Sequence, residues 1–120
     1  MPRDERAYLA DIIESCEAIQ SAILNLDLQG YQRNRLVRSS VEREFIIIGE
    51  ALAAIARIAP AVFETITRAR RIVDFRNQLT HEYPTVDDAL VFAIAETDVP
   101  ILRRESAELM KRHASTDQES

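Results

Sequence analysis

The sequence predicts an all-α protein, an up-and-down bundle of about five helices in a single domain. Its 120 residues, 47% of them hydrophobic, are enough for one modest core. Glycine occurs twice and proline four times, which is too few turn residues for a many-stranded β protein. Apolar side chains also recur at spacings of three and four residues through most of the chain, which is the periodicity of amphipathic helices.

The first half of the chain contains two long helical patterns. Residues 4–26 carry an apolar stripe, and residues 27–31, which include Gly30, indicate a turn. The second helical pattern covers residues 34–59, and its second half is apolar on nearly all sides. We therefore expect this helix to be buried on more than one side and to offer a surface for dimer formation.

The second half of the chain begins with a short helical turn, predicted for residues 61–66 after Pro60 has ended the second helix. A third long helix is predicted for residues 68–82. It should stop before Pro84, because proline disfavours the helical conformation of the residue that precedes it.

Two further signals locate the last helices. Thr85, with Asp88 three residues later, indicates a capping box that opens a helix. Asp98, two residues before a proline, predicts either a kink or a new helix start with Asp98 as its cap. The folded domain is expected to cover residues 1–113, and residues 114–120 to form a polar C-terminal tail.

Charge and cysteine content argue against several classes of protein. The formal net charge of −5 is not that of a general nucleic-acid binder, although residues 57–76 carry five arginines against two acids. The single cysteine, Cys16, excludes an internal disulfide and a cysteine-rich zinc site, and its position in the first apolar stripe predicts a core thiol. Because the chain has no signal-peptide pattern and no apolar run long enough to span a membrane, we expect a cytoplasmic protein without a membrane partner.

A cluster of polar side chains interrupts the third helix in the segment "DFRNQLTHEY", residues 74–83. Asn77 and His81 are four residues apart and share a helix face, whereas Arg76 and Tyr83 are seven apart and share a neighbouring one. Arg76 and His81 lie about 140° apart around an ideal helix axis. We interpret these positions as one polar edge of the helix, on which the side chains can converge in a groove.

These residue types suit the cleavage of a phosphodiester without a metal. The reaction needs a base, an acid and positive charge on the transition state. His81 can serve as base or acid near neutral pH, Arg76 can hold a phosphate oxygen, and Asn77 can orient either group. One histidine cannot easily be acid and base at once, so we expect a symmetric homodimer that brings two copies of the helix across one cleft.

The residues alone also allow other interpretations of the cluster. Arg76 could pair with Asp74 or Glu82, and His81 could be an ordinary surface histidine. A metal site is not expected, because one histidine and scattered carboxylates do not form a recognisable ligand spacing. No cofactor is expected either, since the chain lacks a glycine-rich phosphate loop.

Three blocks of sequence, taken in order, resemble the HEPN superfamily and, within it, the HepT-type toxins. They are "VEREFIIIGEALAAI" (residues 41–55), "FRNQLTHEY" (75–83) and "TDVPIL" (97–102). The second block contains the arginine, the following polar residue, the histidine and the tyrosine of the family motif. The chain departs from the family in having Phe92 where a tryptophan is frequent and in placing Pro84 directly after the tyrosine.

The resemblance implies a HEPN-like five-helix bundle that dimerises, with Arg76 and His81 as catalytic residues and Asn77 in support. It implies a metal-independent endoribonuclease toxin of a type VII toxin–antitoxin system, acting on RNA. It also implies a minimal nucleotidyltransferase antitoxin as partner, which would neutralise the toxin by transferring AMP to Tyr83. The alternative is a catalytically silent helical subunit that binds a nucleotidyltransferase.

Overall fold

The computed structural model describes the backbone of residues 3–81 and 86–119 and the side chains as far as residue 113. This part of the chain contains no strand, which confirms the all-α prediction. It forms six α-helices, which are α1 (Glu5–Ile23), α2 (Leu28–Arg33), α3 (Arg35–Ile58), α4 (Pro60–Thr65), α5 (Ala69–His81) and α6 (Asp88–Glu119). Of these helices, none is both long and apolar enough to cross a membrane.

The helix starts are explained by polar caps. Asp4 precedes α1 and accepts hydrogen bonds from the first-turn amides, and Asn34 caps α3 in the same way. The starts of α1 and α3 both agree with the predicted helices. The predicted turn at residues 27–31 is instead the start of α2, because Asp27 accepts a hydrogen bond of 2.8 Å from the amide of Gly30 and so begins a short helix.

α6 begins at a different cap from the one predicted. Asp87 accepts hydrogen bonds from the amides of Ala89 and Leu90 at 3.0 and 3.2 Å. It therefore satisfies amide groups that a helix start leaves without partners. Thr85, the predicted capping residue, lies outside the described residues.

The predicted new helix start at Asp98 is wrong. α6 runs from Asp88 to Glu119 as one helix that contains Pro100. A proline inside a helix costs about 3 kcal/mol, but here Val99 and Leu102, one residue before and two residues after Pro100, are 1% exposed and bury their side chains in the core. Two predicted helices thus merge into α6, the helical turn predicted for residues 61–66 is found as α4, and the six-residue helix α2 is added. The number of helices among the described residues therefore differs from the expected five.

The core is built around α3, which packs against α1, α2, α4 and α5, while α6 packs on α1 and α2. The second half of α3 is buried on several sides, as predicted, through Ala51, Leu52, Ala54 and Ile55. Cys16 is fully buried as predicted, and burial raises the pKa of its thiol to about 12. The thiolate form is therefore absent at neutral pH and the thiol is an inert part of the core.

α5 is fixed in position at its start and at its middle. Before α5, Thr67 donates two hydrogen bonds to the carboxylate of Glu105 on α6, from its amide at 2.8 Å and its hydroxyl at 2.7 Å. Arg68, which has a left-handed backbone with φ of 57°, forms an ion pair of 3.3 Å with the buried Asp98. Further along, Phe75 packs edge-on against Phe45 of α3, with ring centroids 5.2 Å apart. These contacts determine where the residues of the polar cluster lie.

Candidate active site on the fifth helix

Arg76 lies on the buried face of α5, not on a polar edge. The buried side chains of α5 follow a helical spacing and are Ala69, Ile72, Val73, Phe75 and Leu79. Arg76 comes four residues after Ile72 and three before Leu79, so its side chain leaves the helix on the same face. It is half-buried as a result. The prediction that Arg76 lies on a polar edge of the helix is therefore wrong. Its position belongs to the apolar stripe of α5, although the residue at that position is charged.

Gly49 of α3 makes room for this arginine. A Cβ atom added to Gly49 would overlap the Cβ and Cγ atoms of Arg76 and would lie 3.3 Å from its Nε. The absence of a side chain therefore lets α3 and α5 approach closely where Arg76 crosses. The sequence contained a signal for this contact, since a glycine inside a helix costs about 1 kcal/mol and indicates a packing or functional reason.

The guanidinium of Arg76 has unused hydrogen-bonding capacity. Its Nε is buried and has no hydrogen-bond partner. Within residues 3–81 and 86–113, no carboxylate forms an ion pair with it, so the alternative pairing with Asp74 is not found. The other alternative partner, Glu82, lies outside the described residues. A buried donor without a partner costs about 1–3 kcal/mol, and an acceptor supplied by a ligand would remove that cost.

The remaining residues of the cluster lie toward solvent. Asn77 and His81 are exposed, and His81 is the last residue of α5. Between them, the hydroxyl of Thr80 donates to the carbonyl oxygens of Arg76 and Asn77 at 3.2 and 3.1 Å, closing the helix end on itself. Tyr83, the predicted modification site, lies outside the described residues.

The site thus combines a cation held against the core with an imidazole in solvent. At about 100° per residue, Arg76 points toward α3 while His81 points about 140° away from it. A single copy of α5 therefore does not present the two groups on one face. Among the described residues, no group of three or more histidines, cysteines or acids is arranged to hold a metal ion.

Comparison with known proteins identifies the family. The family model described as "Ribonuclease HepT-like" matches residues 12–109, which include most of α1, all of α5 and the part of α6 that packs on the core. The chain belongs to the HepT-like ribonuclease family. This membership confirms the resemblance that the three sequence blocks indicated.

Curated relatives carry names of the same kind. A Methanocaldococcus jannaschii protein named "Putative RNase MJ1380" is 32% identical over 103 residues, which cover 86% of this chain and 94% of that protein. A second protein of that organism, "Putative RNase MJ1216", is 26% identical over 98% of this chain and 97% of its own length. The "Probable ribonuclease HepT" of Thermococcus cleftensis is 27% identical over 92% of this chain and its own full length. No solved structure matches the chain.

The contact between Gly49 and Arg76 can be tested by a double-mutant cycle. Alanine favours a helix over glycine by about 1 kcal/mol, but the clash should make Gly49→Ala destabilising by about 1–3 kcal/mol overall. In an Arg76→Gly background, which removes both clashing atoms, Gly49→Ala should instead stabilise the protein. The measurement is the free energy of unfolding in urea.

Glu50→Ala is the matched control, since Glu50 is exposed beside Gly49 on the same helix. It should change the free energy of unfolding by less than about 0.5 kcal/mol. A Gly49→Ala variant as stable as this control would show that Arg76 does not depend on the glycine.

Proposed function

We propose that the protein is a metal-independent endoribonuclease toxin in which Arg76 and His81 carry out the cleavage of RNA. The observation that supports this most is the buried, unpartnered Nε of Arg76, held against Gly49 in a member of a ribonuclease family. A guanidinium with unused donors binds a phosphate oxygen through charge-assisted hydrogen bonds. In a half-buried position these bonds are stronger than in bulk water.

The proposed reaction divides the proton transfers between two imidazoles. One His81 takes the proton of the attacking hydroxyl as the new phosphorus–oxygen bond forms. The other His81 donates a proton to the leaving oxygen as the old bond breaks. Arg76 stabilises the negative charge that develops on the phosphate oxygens. Asn77, exposed one residue after Arg76, would orient the phosphate or an imidazole.

A homodimer with two copies of α5 across one cleft would supply both imidazoles and both guanidiniums. From its middle to its end, α3 keeps Ile46 only partly buried and Ile58 exposed, so it offers the dimer contact a surface besides the exposed end of α5. Light scattering at micromolar concentration should give about twice the chain mass of 13.7 kDa. A folded, active monomer would contradict the shared cleft.

The catalytic assignment predicts a large loss of activity from single substitutions. His81→Ala and Arg76→Ala should each lower kcat for RNA cleavage by about 10²-fold or more, and expression of either variant should no longer stop growth. Because His81 is exposed, its substitution should change the free energy of unfolding by less than about 0.5 kcal/mol. Arg76→Lys should restore activity only in part, since lysine keeps the charge but loses the two-pronged contact.

His113→Ala and Arg104→Ala serve as matched controls that remove the same side chains elsewhere. His113 is engaged with Glu5 at 2.9 Å, and Arg104 is exposed on α6. Both controls should keep full activity, and EDTA should leave the wild-type rate unchanged. Activity that EDTA abolishes and added metal restores would refute the metal-independent mechanism.

We also propose that a minimal nucleotidyltransferase antitoxin inactivates the toxin by transferring AMP to Tyr83. Tyr83 follows His81 by two residues, beyond the exposed end of α5. An attached AMP would add bulk and a negative charge near Arg76, where the RNA phosphate must bind.

Tyr83→Phe should remain toxic, because the phenol has no part in the proton transfers, and should escape enzymatic inactivation by the antitoxin. Intact mass after co-expression should show additions of about 329 Da each on the wild type and none on the variant. Equal modification of both proteins would remove Tyr83 as the target, and a non-toxic Tyr83→Phe would assign the phenol to catalysis.

A silent helical subunit that only binds a nucleotidyltransferase is the second candidate. The exposure of His81 at the helix end is compatible with it. The two proposals differ in one result, since a silent subunit would leave RNA intact whether or not His81 is present.

A further inference from the structure

A groove separates α5 from the first half of α6. Its volume is about 370 Å³. It is distinct from the contact of Arg76 with α3, because neither Arg76 nor Gly49 lines it. Three apolar side chains, Phe75, Leu90 and Ile94, form part of its lining. Phe75 and Ile94 are almost fully buried, but Leu90 is 37% exposed, one of the few large hydrophobic side chains that reach the surface.

The polar side of the groove is mainly basic. Arg70 and Arg71 line it and are both exposed. In the part of the chain that the structure describes, neither forms an ion pair with a carboxylate. The guanidinium of Arg70 lies 5.2 Å from the ring centroid of Phe63. Asp74 and Gln78 complete the lining on α5. The groove therefore joins two arginines that have no carboxylate partner to an apolar floor and two hydrogen-bonding side chains.

The groove opens on the same side of α5 as His81. At about 100° per residue, Arg70, Asp74 and His81 fall within about 40° of one another around the helix. At about 1.5 Å per residue, Arg71 and His81 are about 15 Å apart along the helix axis. A short stretch of single-stranded RNA can cover that distance, so a strand cleaved beside His81 would pass the groove.

We propose that this groove binds an unpaired nucleotide of the RNA strand, next to the phosphate that is cleaved. Arg70 and Arg71 would hold the phosphates of the strand, and a base would pack against the exposed Leu90, over the nearly buried Phe75 and Ile94. Proteins that bind single strands commonly combine a basic path for the backbone with an apolar platform for bases. The proposal rests on the ribonuclease function proposed above. It adds the position of the RNA strand on the protein.

A second copy of the chain is the competing occupant of the groove. Two copies that met here across a two-fold axis would bring four arginines together, with one Asp74 from each copy to offset them. An RNA strand supplies a negative charge at each nucleotide, which is the better electrostatic match. For this reason we assign the groove to RNA.

The test uses the His81→Ala protein, which should bind RNA without cleaving it. Binding of a fluorescein-labelled single-stranded RNA octamer is followed by anisotropy at several salt concentrations. Adding Arg70→Ala and Arg71→Ala together should raise the Kd about tenfold or more at low salt and reduce the slope of log K against log salt by about 1.4, which corresponds to two phosphate contacts. Leu90→Ser should weaken binding about fivefold with an unchanged slope, because it shortens only the apolar floor.

The charge-matched control removes Arg57 and Arg104, which are exposed on α3 and α6 away from the groove lining. It should change the Kd by less than about twofold. An equal loss in the control would overturn the proposal, since it would mean that overall charge and not the groove attracts RNA. A Leu90→Ser protein whose mass in solution falls by half would overturn it as well, by assigning the groove to a contact between copies.

Different results would refute the groove proposal and the ribonuclease proposal. If the His81→Ala protein binds the octamer and the two groove arginines make no difference, the groove proposal alone is refuted. If the wild type cleaves no RNA and the His81→Ala protein binds none, the ribonuclease proposal is refuted and the groove proposal with it.

Discussion

The close approach of α3 and α5 at Gly49 is the constraint on which the candidate site depends. Without a Cβ at Gly49, the helices meet at the base of Arg76, and the aliphatic part of that side chain packs where a core residue would otherwise lie. The guanidinium at the end of this side chain is therefore also held against the core, and its buried Nε has no hydrogen-bond partner. A fixed cation with free donors differs from a surface arginine, whose flexible side chain loses entropy whenever it binds.

The rest of the fold holds α5 so that this contact is kept. The residues before α5 are bound to α6 through Glu105 and Asp98, and its middle is packed on α3 through Phe75. Asp98 on α6 is buried, and one of its carboxylate oxygens is paired with Arg68. α5 is thus anchored at its start and along its core face, while His81 lies at its exposed end.

The distribution of charge fits a protein that binds RNA at a defined place. A net charge of −5 repels nucleic acid at long range and limits general binding. The arginines of α5 and of the segment before it are a local exception, and Arg70 and Arg71 line a groove on the side of α5 that carries His81. In the proposed function, the attraction of an RNA strand depends on short-range contacts with those side chains.

The sequence by itself determined the all-α class, the core thiol Cys16, the starts of the two long helices near residues 4 and 34, and the family. These follow from periodicity, capping chemistry and motifs, which involve residues close together in the chain. Only the tertiary structure decided that Arg76 is half-buried and that α6 continues through Pro100. Arg76 occupies the core face because Gly49, far away in sequence, leaves space for it. Pro100 is accepted because the burial of Val99 and Leu102 offsets its cost, and both effects arise from packing between helices that no local pattern contains.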